Sequence, residues 1–390
     1  MSAGDRLLPD GGEPGRRIEG VDLARGLALI GMFLAHVAPA AGEPVGALLL
    51  SFADERPRLL FALTAGLALG FISGGTRPIP AAPGFAGGPD RARLRLQVAI
   101  RAGILIALGL LITAYLRPLV FVILDVYGIA FLLLLPLLFL PRRVLLWIGV
   151  PLLAVAPGIA VVVASTQWVA DVRAAGWKLP VDWAFSGAYP VIEWVPVMLI
   201  GLALARYGAD RPRVVATTAI VGGAAAALLL GPAKLLIDLG ARQLTDQAAH
   251  DSGIRLSALG ESLHALANVG VGCLVVATAV ALTALAAPAV RRIASAVASP
   301  VTAMGAMPFT IYTVHLVVLA ASIRVEDGLL TDDSWALAIG LVLGSMAFAW
   351  TWRRYLGRGP LETIMRWASL RAVPARVPLP PGDRGDGAGA

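Results

Sequence analysis

Four histidines and a few carboxylates, set in an otherwise apolar chain, are the residues able to do chemistry in this sequence. Arg25 and His36 stand eleven residues apart. On a helix that is close to three turns, so a guanidinium and an imidazole project from one face with about 16 Å of rise between them. A guanidinium holds phosphates or carboxylates through paired N–H donors, and a neutral imidazole accepts a proton near neutral pH. The pair reads as a groove with an anion site at one mouth and a base at the other. Asp22, three residues before Arg25, supplies the competing reading, an ion pair that pins the helix end. Downstream, Asp125, Glu193, Glu261, His264 and His315 interrupt apolar runs, and His250 precedes one. Glu261, His264 and Asn268 share one helical face, as do Pro308, Tyr312 and His315. Inside a bilayer such groups are costly and face a bundle interior or a watery cavity, where they either form a site or hydrogen-bond helix to helix.

The elements that position them follow from composition. Of 390 residues 58% are hydrophobic and only 15% are charged, and the mean hydropathy is +0.78, which excludes an ordinary soluble domain. Apolar runs of span length recur at roughly 20–39, 58–75, 96–115, 119–140, 144–165, 190–206, 214–238, 261–287, 300–322 and 335–352. They predict an all-α, polytopic transmembrane bundle of about ten spans. Lys178 and Lys234 are the only lysines, and the net charge is +7. Arginines such as Arg77, Arg91, Arg93, Arg95, Arg142, Arg143, Arg291, Arg292 and Arg354 gather on the side of the N-terminus, which places both termini in the cytoplasm. Residues 1–17 read as a cytoplasmic tail, 18–367 as the membrane domain and 368–390 as a disordered tail. All four histidines then fall on the extracytoplasmic side. The segment Gln167 to Tyr189, with Trp168, Trp177 and Trp183, reads as an interfacial element over the bundle mouth. Cys273 stands alone, so neither a disulfide nor a cysteine zinc site is available. The arginines form no basic domain with interleaved aromatics, which argues against nucleic acid. No phosphate loop, His-Glu-x-x-His or Gly-x-Ser-x-Gly motif is present, so no metal or ATP chemistry is expected.

The run Arg17-Ile-Glu-Gly-Val-Asp22-Leu-Ala-Arg25-Gly26, continuing through Gly31 to His36, resembles the opening signature of the heparan-alpha-glucosaminide N-acetyltransferase catalytic-domain family and its YeiB-like bacterial relatives. Arg56-Pro-Arg-Leu-Leu-Phe61-Ala-Leu-Thr-Ala-Gly66, Gly187-Ala-Tyr189-Pro190, Tyr312-Thr-Val-His315 and Gly359-Pro360-Leu361-Glu362 are similar to later landmarks. The resemblance implies a transmembrane acyltransferase that takes acetyl from cytosolic acetyl-CoA and passes it to an amine or hydroxyl outside. Animal members place a catalytic histidine in the segment after the first helix, whereas residues 39–57 here contain none. Joined to the resemblance, the residues suggest CoA phosphates held by Arg25, beside Asp22, with help from Arg354. His36 or His315 is then the general base, oriented by Asp125 or Glu193. Tyr312, Asn268 or Tyr127 would face the oxyanion. Tyr189, His250, His264, Asn268 and Tyr312 would line the acceptor pocket.

The expected acceptor is a cell-envelope carbohydrate or glycolipid, the partners are acyl-CoA and membrane lipids, and the location is a bacterial cytoplasmic membrane. A homo-oligomer is compatible with the sequence. Two other classes fit the same buried charges: a proton-coupled transporter or flippase, which predicts broken helices near the midplane and internal repeats, and a noncatalytic scaffold.

Overall fold

A bilayer leaves backbone N–H and C=O groups no partner but one another, so each long apolar run closes its hydrogen bonds as a helix. The structure, a computed structural model, describes residues 18–39, 56–187, 189–245, 249–326 and 328–373. The expected N-terminal tail and the end of the C-terminal one lie outside the described residues. Twelve helices carry the fold: α1 (Glu19–Val37), α2 (Arg56–Ile72), α3 (Pro89–Leu111), α4 (Leu124–Leu134), α5 (Arg142–Ala164), α6 (Val191–Tyr207), α7 (Pro212–Leu244), α8 (His250–Val280), α9 (Pro288–Ala306), α10 (Pro308–Ser322), α11 (Trp335–Tyr355) and α12 (Pro360–Ala372). A two-stranded antiparallel hairpin, β1 (Arg324–Glu326) with β2 (Leu329–Thr331), links α10 to α11. The helix α12 runs to Ala372, past the boundary expected at 367, because buried Ser369 docks on Arg101 of α3.

The chain is a membrane protein: among the described residues, seven helices are long and apolar enough to cross a bilayer, or eight when α9 and α10 are taken as one bent span. Two of the ten expected runs are not among them. The run 58–75 becomes α2, a central helix of 17 residues, and the run 119–140 becomes α4, only 11 residues long. The run of α2 is apolar because the protein interior surrounds it, whereas α4 also exposes Leu132 and Leu133. The buried residues of α2 run almost without a break from Leu59 to Leu67, so it has no lipid-facing stripe along that stretch.

Close crossings rest on glycine. Gly66 of α2 lies against the backbone of Met198 on α6, and Gly201 of α6 against Leu63 on α2. On the other side of the core, Gly26 of α1 meets Val301 and Gly305 of α9 meets Asp22. At the end of the bundle where α1 begins, here the lower end, Arg206 is buried and donates to the carbonyls of Gly70, Gly75 and Leu138 and to Ser73 Oγ. It ties α6 to the end of α2 and to the segment after α4.

The helices α9 and α10 meet at 78°. Pro308 is the first residue of α10, a position where its missing N–H costs nothing. The helix N-terminus behind it is capped from α12. The Phe309 and Thr310 N–H groups donate to Glu362 Oε1 at 2.8 and 3.0 Å, and Thr310 Oγ1 donates to Oε2 at 2.5 Å. A carboxylate there also meets the positive end of the helix dipole. Glu362→Ala is expected to cost about 3 kcal/mol by leaving these donors unpaired, and Glu362→Gln about 1 kcal/mol because the amide oxygen still accepts. Thermal unfolding of the detergent-solubilised protein reads both values.

Candidate functional site

Both α1 and α10 end at the upper end of the bundle, and there they bring two histidines together. His36 Nδ1 lies 3.2 Å from His315 Nε2, and the rings stack with centroids 5.4 Å apart and 13° between planes. His315 Nδ1 lies 2.5 Å from the carbonyl oxygen of Tyr312, one helical turn back. A carbonyl only accepts, so His315 Nδ1 must carry the hydrogen and Nε2 the lone pair. His36 Nδ1–H then donates to that lone pair, which leaves His36 Nε2 unprotonated. His315 is 1% exposed and is packed by Phe33 and the Tyr312 ring, whereas His36 is only half-buried. The relay therefore runs from a fixed, buried anchor to an accessible base.

The carboxylates expected to orient the imidazole lie elsewhere. Buried Asp125 accepts from Trp183 Nε1 and from the Val126 N–H, both at 2.9 Å. Glu193 lies 3.7 Å from Arg58, whose guanidinium sits over the Tyr189 ring. Among the described residues, the Tyr312 carbonyl takes the orienting role, and no sequence signal announces a backbone group. Of the three expected oxyanion donors, Tyr127 gives its O–H to the Phe61 carbonyl. The Tyr312 hydroxyl accepts the Ile123 N–H and keeps its own hydrogen. Asn268 is fully buried; its oxygen accepts from Arg56, and its amide nitrogen has no partner among the described residues. His264 stands 3.9 Å from Glu261, and His250, exposed at the first position of α8, lies 3.4 Å from the Leu244 carbonyl at the end of α7, apart from the dyad.

A cavity of about 370 Å³ with mixed polar and apolar walls, hereafter the polar cavity for the charged groups it holds, opens between the segment from Thr113 to Val126 and residues of the stretch Lys178 to Tyr189. Asp125, Tyr189, Trp183, Arg117, Lys178 and Asp182 face it. The stretch from Lys178 to Tyr189 closes one side of this cavity, with Trp183 turned in to Asp125, while Trp168 and Trp177 earlier in the segment are exposed. Burial pushes the Asp182 carboxyl up, but the Arg173 guanidinium bonded to it, with Ser186 and Lys178, more than offsets this and holds it below the usual carboxylate range. An aromatic seam of Tyr312, Phe61, Tyr127, Trp194 and Tyr189 joins the dyad to this cavity.

At the lower end, Arg25 donates to the carbonyls of Gly305 and Thr64, both at 3.1 Å, and pairs with Asp22 at 3.4 Å. It clamps α1 to α2 and α9, which is the pinning role the sequence offered as an alternative. The larger polar opening at that end is a cavity of about 520 Å³, formed where α1 starts, α8 ends and α9 starts. Arg291, Arg292, Ser295, Glu19, Thr283 and Asp210 line it. The charge patterning of the sequence assigned Arg291 and Arg292 to topology only. Arg354 is exposed near the end of α11, with its guanidinium over Trp350.

Residues 17–239 match the family described as "Heparan-alpha-glucosaminide N-acetyltransferase, catalytic". Residues 210–372 match the family described as "Protein of unknown function (DUF418)". No curated protein matches the chain.

Proposed function

Because the chain belongs to the heparan-alpha-glucosaminide N-acetyltransferase catalytic family, we propose that it moves an acetyl group from cytosolic acetyl-CoA to an amine or hydroxyl of a carbohydrate or glycolipid outside a bacterial cytoplasmic membrane. The observation that carries this reading is the His36–His315–Tyr312 relay, which leaves one unprotonated imidazole nitrogen at the accessible end. His36 Nε2 takes the proton of the acceptor group as that group bonds to the thioester carbonyl carbon. The C–S bond then breaks, and the same imidazolium returns the proton to the CoA sulfur. His315 is a positioning residue, since it touches His36 and not the reactants. Asn268 and Tyr312 keep donors for the oxyanion. Tyr189 and Trp183 offer ring faces, and Asp125 a carboxylate, to a sugar in the polar cavity.

The donor site is proposed at the lower cavity, where Arg291 and Arg292 stand on the first turns of α9 and supply two guanidinium groups beside a helix N-terminus. Arg354 adds positive charge at the same end. The helix α1 begins at this cavity and ends at His36, about 26 Å of rise away. A transporter would aim the half-helix N-terminus of α10 at its substrate, but Glu362 already fills that position. Acetyl-CoA binding by the purified protein tests the assignment. Arg291→Ala/Arg292→Ala is expected to weaken binding at least about tenfold. Weakening by Arg25→Ala alone would return the anion site to Arg25, and no saturable binding by folded wild type would sink the acyltransferase reading.

A further inference from the structure

A second cavity, of about 430 Å³, shares Trp183 with the first and lacks its charged side chains. Its walls are apolar side chains: Ile129 and Leu133 of α4, Leu152 of α5, Ile192 and Val195 of α6, with Trp183 and its neighbours closing the top. Ile129 is one turn along α4 from Asp125. Leu133 is 52% exposed, so the cavity opens through the side of the bundle, where lipid tails lie, and not through its mouth. Trp183 lines both cavities. Its ring walls the apolar space, and its Nε1 bonds Asp125 on the polar side.

An aqueous acceptor has no use for a lateral apolar pocket sharing a wall with its binding site. A molecule with a polar head and a hydrocarbon chain uses both. Resting on the acyltransfer reading, we propose that the acceptor is lipid-anchored, with its amine- or hydroxyl-bearing head in the Asp125–Tyr189 cavity and one hydrocarbon chain in the cavity between α4, α5 and α6. The chain would enter from the bilayer while the head stays in the polar cavity, so Trp183 marks the boundary between sugar and lipid. Tryptophan suits that place because its ring is apolar and its N–H is not.

The test uses the full chain in nanodiscs with two acceptors of one head group, methyl and dodecyl β-D-glucosaminide, and a dodecyl analogue bearing a chain-terminal diazirine. Partition into the bilayer favours any alkyl acceptor, so the informative quantity is the dodecyl-over-methyl ratio of kcat/KM across variants. Leu133→Trp at the mouth and Ala184→Trp beside Trp183 are expected to lower this ratio at least tenfold. Ile220→Trp, on the distant lipid-facing side of α7, should preserve it. The diazirine is expected to label α4 and α6, and both cavity variants should cut that labelling tenfold. A ratio unchanged in every variant, or labelling spread around the bundle like that of a diazirine phosphatidylglycerol, overturns the proposal and leaves acyl transfer standing. Labelling confined to the cavity, with neither acceptor acetylated and no saturable acetyl-CoA binding by the same folded protein, upholds the amphiphile site and sinks the acyltransfer reading.

Discussion

His36→Ala is expected to lower kcat for acetyl transfer by about 10²–10⁴-fold, the usual worth of a positioned general base, with acetyl-CoA affinity essentially unchanged. The split follows from geometry, because His36 sits at the opposite end of α1 from the cavity assigned to the donor's phosphates. His315 must behave differently. It acts only through the 3.2 Å contact with His36, so His315→Ala should reduce kcat less and reshape the pH–rate profile, having removed the acceptor that fixes the His36 tautomer. His315→Gln restores both halves of the relay in principle: its amide can donate to the Tyr312 carbonyl and its oxygen can accept from His36 Nδ1. Partial recovery in His315→Gln would show that tautomer control, and not bulk, is what His315 supplies. Single-turnover rates and pH profiles of the three variants check this. Wild-type turnover in His36→Ala would remove the dyad from the chemistry and turn attention to Asp125, the buried carboxylate of the polar cavity.

Hydropathy and helical period carried the all-helical membrane class and the polar helix faces, but not the partners of the polar groups. The faces Pro308–Tyr312–His315 and Glu261–His264–Asn268 follow from helical period alone, and Tyr312, His315 and Asn268 are indeed buried. The His36–His315 contact joins residues 279 apart, and it depends on how α1 and α10 rotate about their axes, which periodicity leaves free. The carbonyl partners of Arg25 were hidden for a related reason. An arginine near a helix end looks like an anion ligand until the chain supplies carbonyls, and here Gly305 allows α9 close enough to do so. Apolar content alone does not fix helix length, so the runs 58–75 and 119–140 read as full spans although α2 has 17 residues and α4 only 11. The cap on α10 by Glu362 was visible as a motif but not as a contact, since its partners lie about fifty residues earlier.

The largest stability effects should come from the glycine crossings, and they separate two consequences of close packing. A Cβ added at Gly305 would lie 1.8 Å from the Asp22 carbonyl oxygen and 2.6 Å from the Gly26 nitrogen; at Gly66 it would lie 2.0 Å from the Met198 carbonyl oxygen. These neighbours are backbone and cannot rotate away, so the helices must part. Gly305→Ala and Gly66→Ala are each expected to cost about 3 kcal/mol or more. Gly223 on α7 is the control, because a Cβ there meets nothing within 4 Å, and Gly223→Ala should be neutral or stabilise by roughly 0.5–1 kcal/mol through helix propensity. Where the two damaging variants differ is function. Parting α9 from α1 breaks the Arg25 bond to the Gly305 carbonyl and shifts α10, which follows α9 after a single residue and carries His315. Gly305→Ala should therefore lose transfer activity beyond its loss of folded protein, whereas Gly66→Ala, which opens α2 against α6, should lose activity only in proportion to folding. Equal specific activity in the folded fractions of both would mean that the dyad is held by contacts around α10 itself, such as Phe33 against His315 and Ser334 against the Val37 carbonyl, and not by the crossing below it.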